Sequence, residues 1–190
     1  MKSSVTKPQD LTETCISSET LVKGKLLHAK RDKVRLPNGV ETEREYIVHP
    51  GAVLVIPLLP DGRLVMERQF RYALHRTFIE LPAGKIDPDE DPLETGKREL
   101  LEETGYIARQ WQFLTLLHPC IGYCDEVIHV YLARELTPGE HRRDEDEHLE
   151  IFSISLPEAM EAMRRGEISD GKTMIALFWA EKYLKGDWLL

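Results

Sequence analysis

Residues 52–59 read Ala-Val-Leu-Val-Ile-Pro-Leu-Leu, an uncharged apolar run, and apolar positions resume at residues 64–70 after the turn-forming pair Asp61-Gly62. An apolar run of that length bounded by turn residues predicts a buried strand, and the short polar break predicts a hairpin. Upstream the pattern is more polar. Residues 21–36 and 40–48 predict two strands joined by Pro37-Asn38-Gly39, residues that set or tolerate turn dihedrals. The chain therefore divides into an N-terminal antiparallel β module over residues 1–50 and a main domain over residues 51–190. Further strands are expected at 78–81, 113–117, 127–133 and 151–155. Helices are expected at 92–104, at 157–165 before Gly166, and at 172–184 before Gly186. Strands alternating with helices predict an α/β sandwich.

The helix at 92–104 is the most fully specified element. Asp91 is a natural N-cap, Pro92 suits the first helical position, Glu94 stands at capping-box spacing and Gly105 supplies a left-handed stop. At ~100° per residue, Glu99, Glu102 and Glu103 fall on one face. Like charges at i,i+4, as in Glu99 and Glu103, disfavour an isolated helix by ~0.2–0.5 kcal/mol, so a solvated helix gains nothing from them. A divalent cation reverses that sign, and oxygen-only donors select hard ions such as Mg2+ or Mn2+. Arg98, four residues before Glu102, is placed to hold it in an ion pair, and Gly84 permits backbone geometry closed to other residues. The plain alternative is an acidic, solvated helix face.

With Gly84 and Glu90 these residues form the pattern G-x5-E-x7-R-E-U-x-E-E-x-G-U, U being bulky and apolar, and on it the chain resembles the Nudix hydrolases from Gly84 to Gly105. Only the last apolar position departs, being Tyr106. The resemblance implies an α/β/α sandwich with a mixed β-sheet, a divalent metal on the helix, and hydrolysis of a nucleoside diphosphate linked to another moiety. Beyond the helix, Arg68-Gln-Phe-Arg-Tyr72, Glu80-Leu-Pro-Ala-Gly84, the run from His118 to Glu126, the run Asp144-Glu145-Asp146-Glu147, and Arg44 are similar to the ADP-ribose pyrophosphatase branch. That branch carries a proline where this chain has Ile121, with Pro119 two places earlier. This likeness implies cleavage of ADP-ribose, or a close nucleoside diphosphate sugar, to AMP and ribose 5-phosphate. It implies metal contacts from Glu99, Glu103, Glu147 and the Ala83 carbonyl, and a catalytic set of Glu145, Glu102 and Arg98. It implies substrate contacts from Arg44, Glu45, Arg71, Lys85, Gly122 and Glu126, and a homodimer whose N-terminal modules exchange contacts, with Arg44 serving the partner's site.

Several of these positions also make sense without the likeness. The guanidinium groups of Arg44 and Arg71 suit a diphosphate, because they fork onto its oxygens and stay charged. Glu126 follows a glycine-containing loop and suits a ribose hydroxyl. The acidic run at 144–147 lies between two strand signals and reads as a loop, either merely solubilising or bringing a general base to activated water on closure. A Nudix enzyme specific for NADH, flavin dinucleotide or a GDP-sugar, and a non-catalytic binding module, are the competing readings.

Composition narrows the field. The 190 residues carry a net charge of −8, which argues against a non-specific nucleic-acid or membrane-surface binder, since phosphate backbones attract positive patches. The N-terminal residues lack an apolar leader segment, and no run approaches the ~18–20 apolar residues that span a bilayer, so a cytoplasmic protein is expected. Cys15, Cys120 and Cys124 are too few and unevenly placed for a disulfide framework, and His118, Cys120, Cys124 and His129 fit no usual zinc spacing. The thiols are expected to be small buried fillers.

Overall fold

The computed structural model describes residues 9–139 and 148–188, and these group into two units. The first comprises the chain up to His49 together with Cys120–Asp125. It is a three-stranded antiparallel sheet of β1 (Thr14–Lys23), β2 (His28–Arg35) and β3 (Glu41–Ile47) in that order. Between β2 and β3 the Asn38 side chain accepts from the Val40 N–H at 3.0 Å, and Gly39 takes φ +86°, where a side chain would be strained. Residues 21–36, expected as one strand, are instead the end of β1, a turn closed by the Gly24 N–H on the Leu27 carbonyl at 2.8 Å, and then β2. All of β1 is exposed, so no hydrophobic pattern announced its upstream half.

The second unit spans Pro50–Pro119 and continues from Glu126. It holds β4 (Ala52–Pro57), β5 (Arg63–Arg71), a 3-10 turn (Tyr72–Leu74), β6 (Arg76–Glu80), β7 (Ala83–Lys85), α1 (Pro92–Thr104), β8 (Tyr106–Leu117), β9 (Ile128–Pro138), β10 (Leu149–Ser155), α2 (Leu156–Arg164) and α3 (Gly171–Leu184). One sheet runs β7-β4-β9-β8 and is mixed: β4 pairs in parallel with β9 and antiparallel with β7. The other is antiparallel, in the order β10-β5-β6. β4 is apolar throughout because both its faces are covered. Leu54 and Ile56 enter a core with Leu64, Met66, Leu132 and Leu177, while Val53 and Val55 enter a second core with Leu100 of α1. Helices thus flank the mixed sheet on both sides, as an α/β/α sandwich requires. The short β7 and the 3-10 turn were not expected, and β8 begins at Tyr106, well before residue 113. The cysteines are not buried fillers: Cys15 is exposed, and Cys120 and Cys124 are only partly covered. Among the described residues no helix is long and apolar enough to cross a membrane.

Candidate active site

The site is built where α1 crosses the start of β7. Asp91 caps the helix by accepting from the Leu93 N–H at 2.9 Å, and Gly105 ends it at φ +72° with its N–H on the Leu101 carbonyl. Glu94 does not close a capping box; it pairs with Lys97 at 2.7 Å. Gly96 brings the helix down on β4, since a Cβ there would stand 3.1 Å from Val53 Cγ1. The carboxylates are thereby set against a specific stretch of backbone. Glu103, 4% exposed, accepts from the Ala83 N–H at 3.0 Å. Glu99 lies so close over Gly84 that a Cβ at that position would fall 1.9 Å from its carboxyl carbon. Only glycine leaves that cradle open.

Arg98 organises the remaining carboxylates. Its Nε and Nη2 fork onto Glu90 at 3.1 and 3.0 Å, its Nη1 donates to Glu99 at 2.8 Å and Glu102 at 3.0 Å, and Nη2 also reaches the Lys85 carbonyl at 3.2 Å. The Arg98 hydrogen bonds hold the Glu90 carboxyl down to about 2, and the surrounding carboxylates raise the Arg98 pKa further above its ordinary value. Among the described residues no three carboxylate, histidine or cysteine side chains stand together in metal-holding geometry. Instead the guanidinium lies between Glu99 and Glu102 and bridges the two with one nitrogen. The donor set nonetheless fits a hard divalent ion: hard oxygens, already gathered around a positive charge, beside a cradle that the absence of a Cβ keeps open.

The other expected residues are distributed as follows. Arg71, at the end of β5, is bound side-on to Glu80 through Nε at 2.7 Å and Nη2 at 2.8 Å, with its Nη1 outside that fork. Lys172 and Asp170 complete the chain of charges on Glu80. Burial alone would raise the Glu80 carboxyl, but Arg71 and Lys172 keep it below its ordinary value. Lys85 is exposed and contributes its carbonyl to Arg98. Glu126 lines a cavity of about 460 Å³ with His118, Asp170 and Lys172. Arg44, Glu45 and Gly122 belong to the N-terminal unit, where Arg44 pairs with Glu13 at 2.7 Å and Glu45 with Arg31. Glu145 and Glu147 lie outside the described residues. Sequence reasoning named Glu80 only within a stretch that carries the family likeness and gave it no role, and it did not single out Lys172 or Thr173. An acidic residue inside the apolar strand signal at 78–81 was the available clue for Glu80; a lysine and a threonine at a helix start give none.

A mixed sandwich carrying an acidic helix against a glycine-opened strand is the arrangement of a Nudix hydrolase. The Nudix domain profile matches residues 48–177, and residues 13–47 match the nucleoside diphosphate sugar hydrolase N-terminal domain. The chain belongs to the Nudix family. It is 40% identical to an ADP-ribose pyrophosphatase of Bacillus subtilis over 89% of this chain and 92% of that protein. It is 39% identical to a methanol dehydrogenase activator of Bacillus methanolicus over 87% and 90% of the two chains. The crystal structure of an ADP compounds hydrolase superposes with a TM-score of 0.85 at 26% identity, covering 95% of this chain and 98% of that one.

Proposed function

We propose that this Nudix hydrolase cleaves the pyrophosphate bond of ADP-ribose, or of a close nucleoside diphosphate sugar, giving AMP and ribose 5-phosphate. The observation that carries the reading is the pairing of Glu103 with the Ala83 N–H and of Glu99 with the Gly84 cradle, in a chain whose relatives include an ADP-ribose pyrophosphatase. Glu99, Glu103 and the Ala83 carbonyl, with Glu147, are the residues that would hold Mg2+, or Mn2+ in its place. The ion would supply charge neutralisation on the diphosphate and a lowered pKa for bound water. Arg98 holds Glu102 in place and balances the acidic cluster. Arg71, anchored by Glu80 on one edge, presents Nη1 to a phosphate oxygen, and Lys85 and Glu126 contact the rest of the substrate; Arg44 is assigned to the partner's site, with Glu45 and Gly122 as further substrate contacts. Glu145 accepts the proton of the attacking water as its oxygen bonds to phosphorus and the bridging P–O bond breaks.

We assign to the same reading a cytoplasmic homodimer. Support for the dimer comes from exposed apolar residues of the N-terminal module, Val22 at 51% and Leu27 at 53% near the start of β2 and Val40 at 54% beyond its far end, which a second copy would cover. The deciding experiment is a product assay with Mg2+ against ADP-ribose, NADH, flavin dinucleotide and a GDP-sugar. Preferential release of AMP and ribose 5-phosphate from ADP-ribose supports the assignment. Preference for another member of the panel replaces the substrate, and turnover of none leaves the binding-module reading.

A further inference from the structure

The four residues that lead from β6 into β7, Glu80-Leu81-Pro82-Ala83, are tied between them to β5, α3, β4 and α1. The Glu80 carboxylate is gripped by Arg71 of β5 and by Lys172 of α3. The Leu81 N–H donates to the Thr173 hydroxyl of α3 at 3.1 Å. The Pro82 carbonyl accepts from the Val55 N–H of β4 at 2.9 Å, and the Ala83 N–H donates to Glu103 of α1 at 3.0 Å. The contacts from α3 come from the first turn of a helix 92 residues away in sequence, capped by Asp170, which accepts from the Thr173 N–H at 3.0 Å. Thr173 and Leu81 are both 0% exposed, so water cannot replace the hydroxyl if it is removed.

We infer that Thr173 and Lys172 are positioning residues for the metal site. Acting through Leu81 and Glu80, they fix where the Ala83–Gly84 backbone meets the carboxylates of α1. This inference rests on the metal role proposed above for Ala83, Glu99 and Glu103. The tolerance is narrow: Glu99 occupies space that even one added carbon at Gly84 would fill, so a displacement of β7 by a fraction of an ångström changes the cradle. A valine has the volume of Thr173 and keeps the packing, but it leaves the Leu81 N–H without its acceptor. The strand end then relaxes towards another partner and carries Ala83 with it. Lys172 acts in parallel. Without it, Arg71 alone holds Glu80, and the carboxylate is drawn towards β5.

Mn2+ titration of the substrate-free full chain, by calorimetry or by loss of the free-ion EPR signal, tests this without relying on turnover. Thr173→Val is expected to weaken Mn2+ binding about 10-fold, the scale on which outer residues that orient ligands act, and Thr173→Ser, which restores the hydroxyl, to return it to the wild-type value. Lys172→Met, at a partly exposed position, is expected to weaken binding in the same direction, and it carries the test should Thr173→Val fail to fold. A wild-type chain that takes up Mn2+ beside folded variants with unchanged affinity overturns the positioning role alone. A wild-type chain that takes up no Mn2+ overturns the metal reading beneath it.

Discussion

The two sheets are built on opposite principles. In the β7-β4-β9-β8 sheet and the layers on it, Val53, Leu54, Val55, Ile56, Val130 and Leu132 are wholly buried and stability comes from apolar packing. In the β1-β2-β3 sheet Val34 is the one buried residue among those described, and ion pairs cover the surface: Arg31 with Glu19 and Glu45 and Lys33 and Arg35 with Glu41 across strands, and Arg44 with Glu13 just before β1. Exposed pairs contribute little, and a three-stranded sheet with no core of its own is marginal. The difference teaches where to look for what. The proposed chemistry rests on the buried scaffold, whereas the N-terminal sheet, with so little apolar burial of its own, is the part that would gain most from a further surface.

The largest effect should appear at the scaffold's functional edge. Glu103→Gln keeps an acceptor for the Ala83 N–H but loses the charge, so turnover should fall at least about 100-fold while thermal stability changes little. Steady-state rates over a range of Mg2+, with a melting curve, check both halves; full activity in this variant removes Glu103 from the metal set. Next comes the core. Leu132→Ala opens a cavity in the core that Leu132 of β9 shares with Leu54 and Ile56 and should cost about 2–5 kcal/mol by urea unfolding, against well under 1 kcal/mol for Val22→Ala at low protein concentration. A large cost for Val22→Ala that grows with protein concentration would show its face covered by a second copy.

How much of this was legible in the sequence follows the range of the signals. Helix α1 was readable to both ends because Asp91, Pro92 and Gly105 act locally, and the three carboxylates follow from a spacing of a few residues. The run at 52–59 betrayed a strand buried on both faces. The break at Gly24 was missed because β1 has no buried face to alternate against an exposed one. The Glu80–Lys172 and Leu81–Thr173 contacts were unreadable because their partners meet only once β6 and α3 have packed. Ala83 is the extreme case: its expected contribution is a backbone group, which no side-chain pattern encodes, and the family likeness supplied it.

A smaller effect separates the regions by pH and salt. Glu90, with its carboxyl held at about 2 by Arg98, lies below the ordinary carboxylate value, so its contribution to stability is complete above about pH 4.5 and is lost as pH falls towards 2. Glu41 is also lowered, by Lys33 and Arg35, but on an open surface. Carboxyl-carbon NMR titrations in dilute buffer and in about 1 M salt should leave the Glu90 midpoint nearly in place and move Glu41 back towards its ordinary value, because a Debye length of about 3 Å screens only the exposed pairs. Equal salt sensitivity at the two sites would mean that Arg98 and its partners are solvated, and would weaken the case for a preorganised cluster.

The smallest effect is the sharpest test of the comparison. Arg31 sits in the middle of β2, in register with Glu19 on one side and Glu45 on the other, and its Nε reaches Glu45 at 2.9 Å. If such pairs only decorate a sheet that is stabilised elsewhere, Arg31→Ala should cost no more than about 1 kcal/mol, and less in high salt. Urea midpoints in low and high salt, with hydrogen exchange on the β2 amides, measure this directly. A cost approaching that of Leu132→Ala would mean that the ion-pair ladder itself holds the N-terminal sheet together, and the need for a covering surface, with the physical support it lends to a dimer, would disappear.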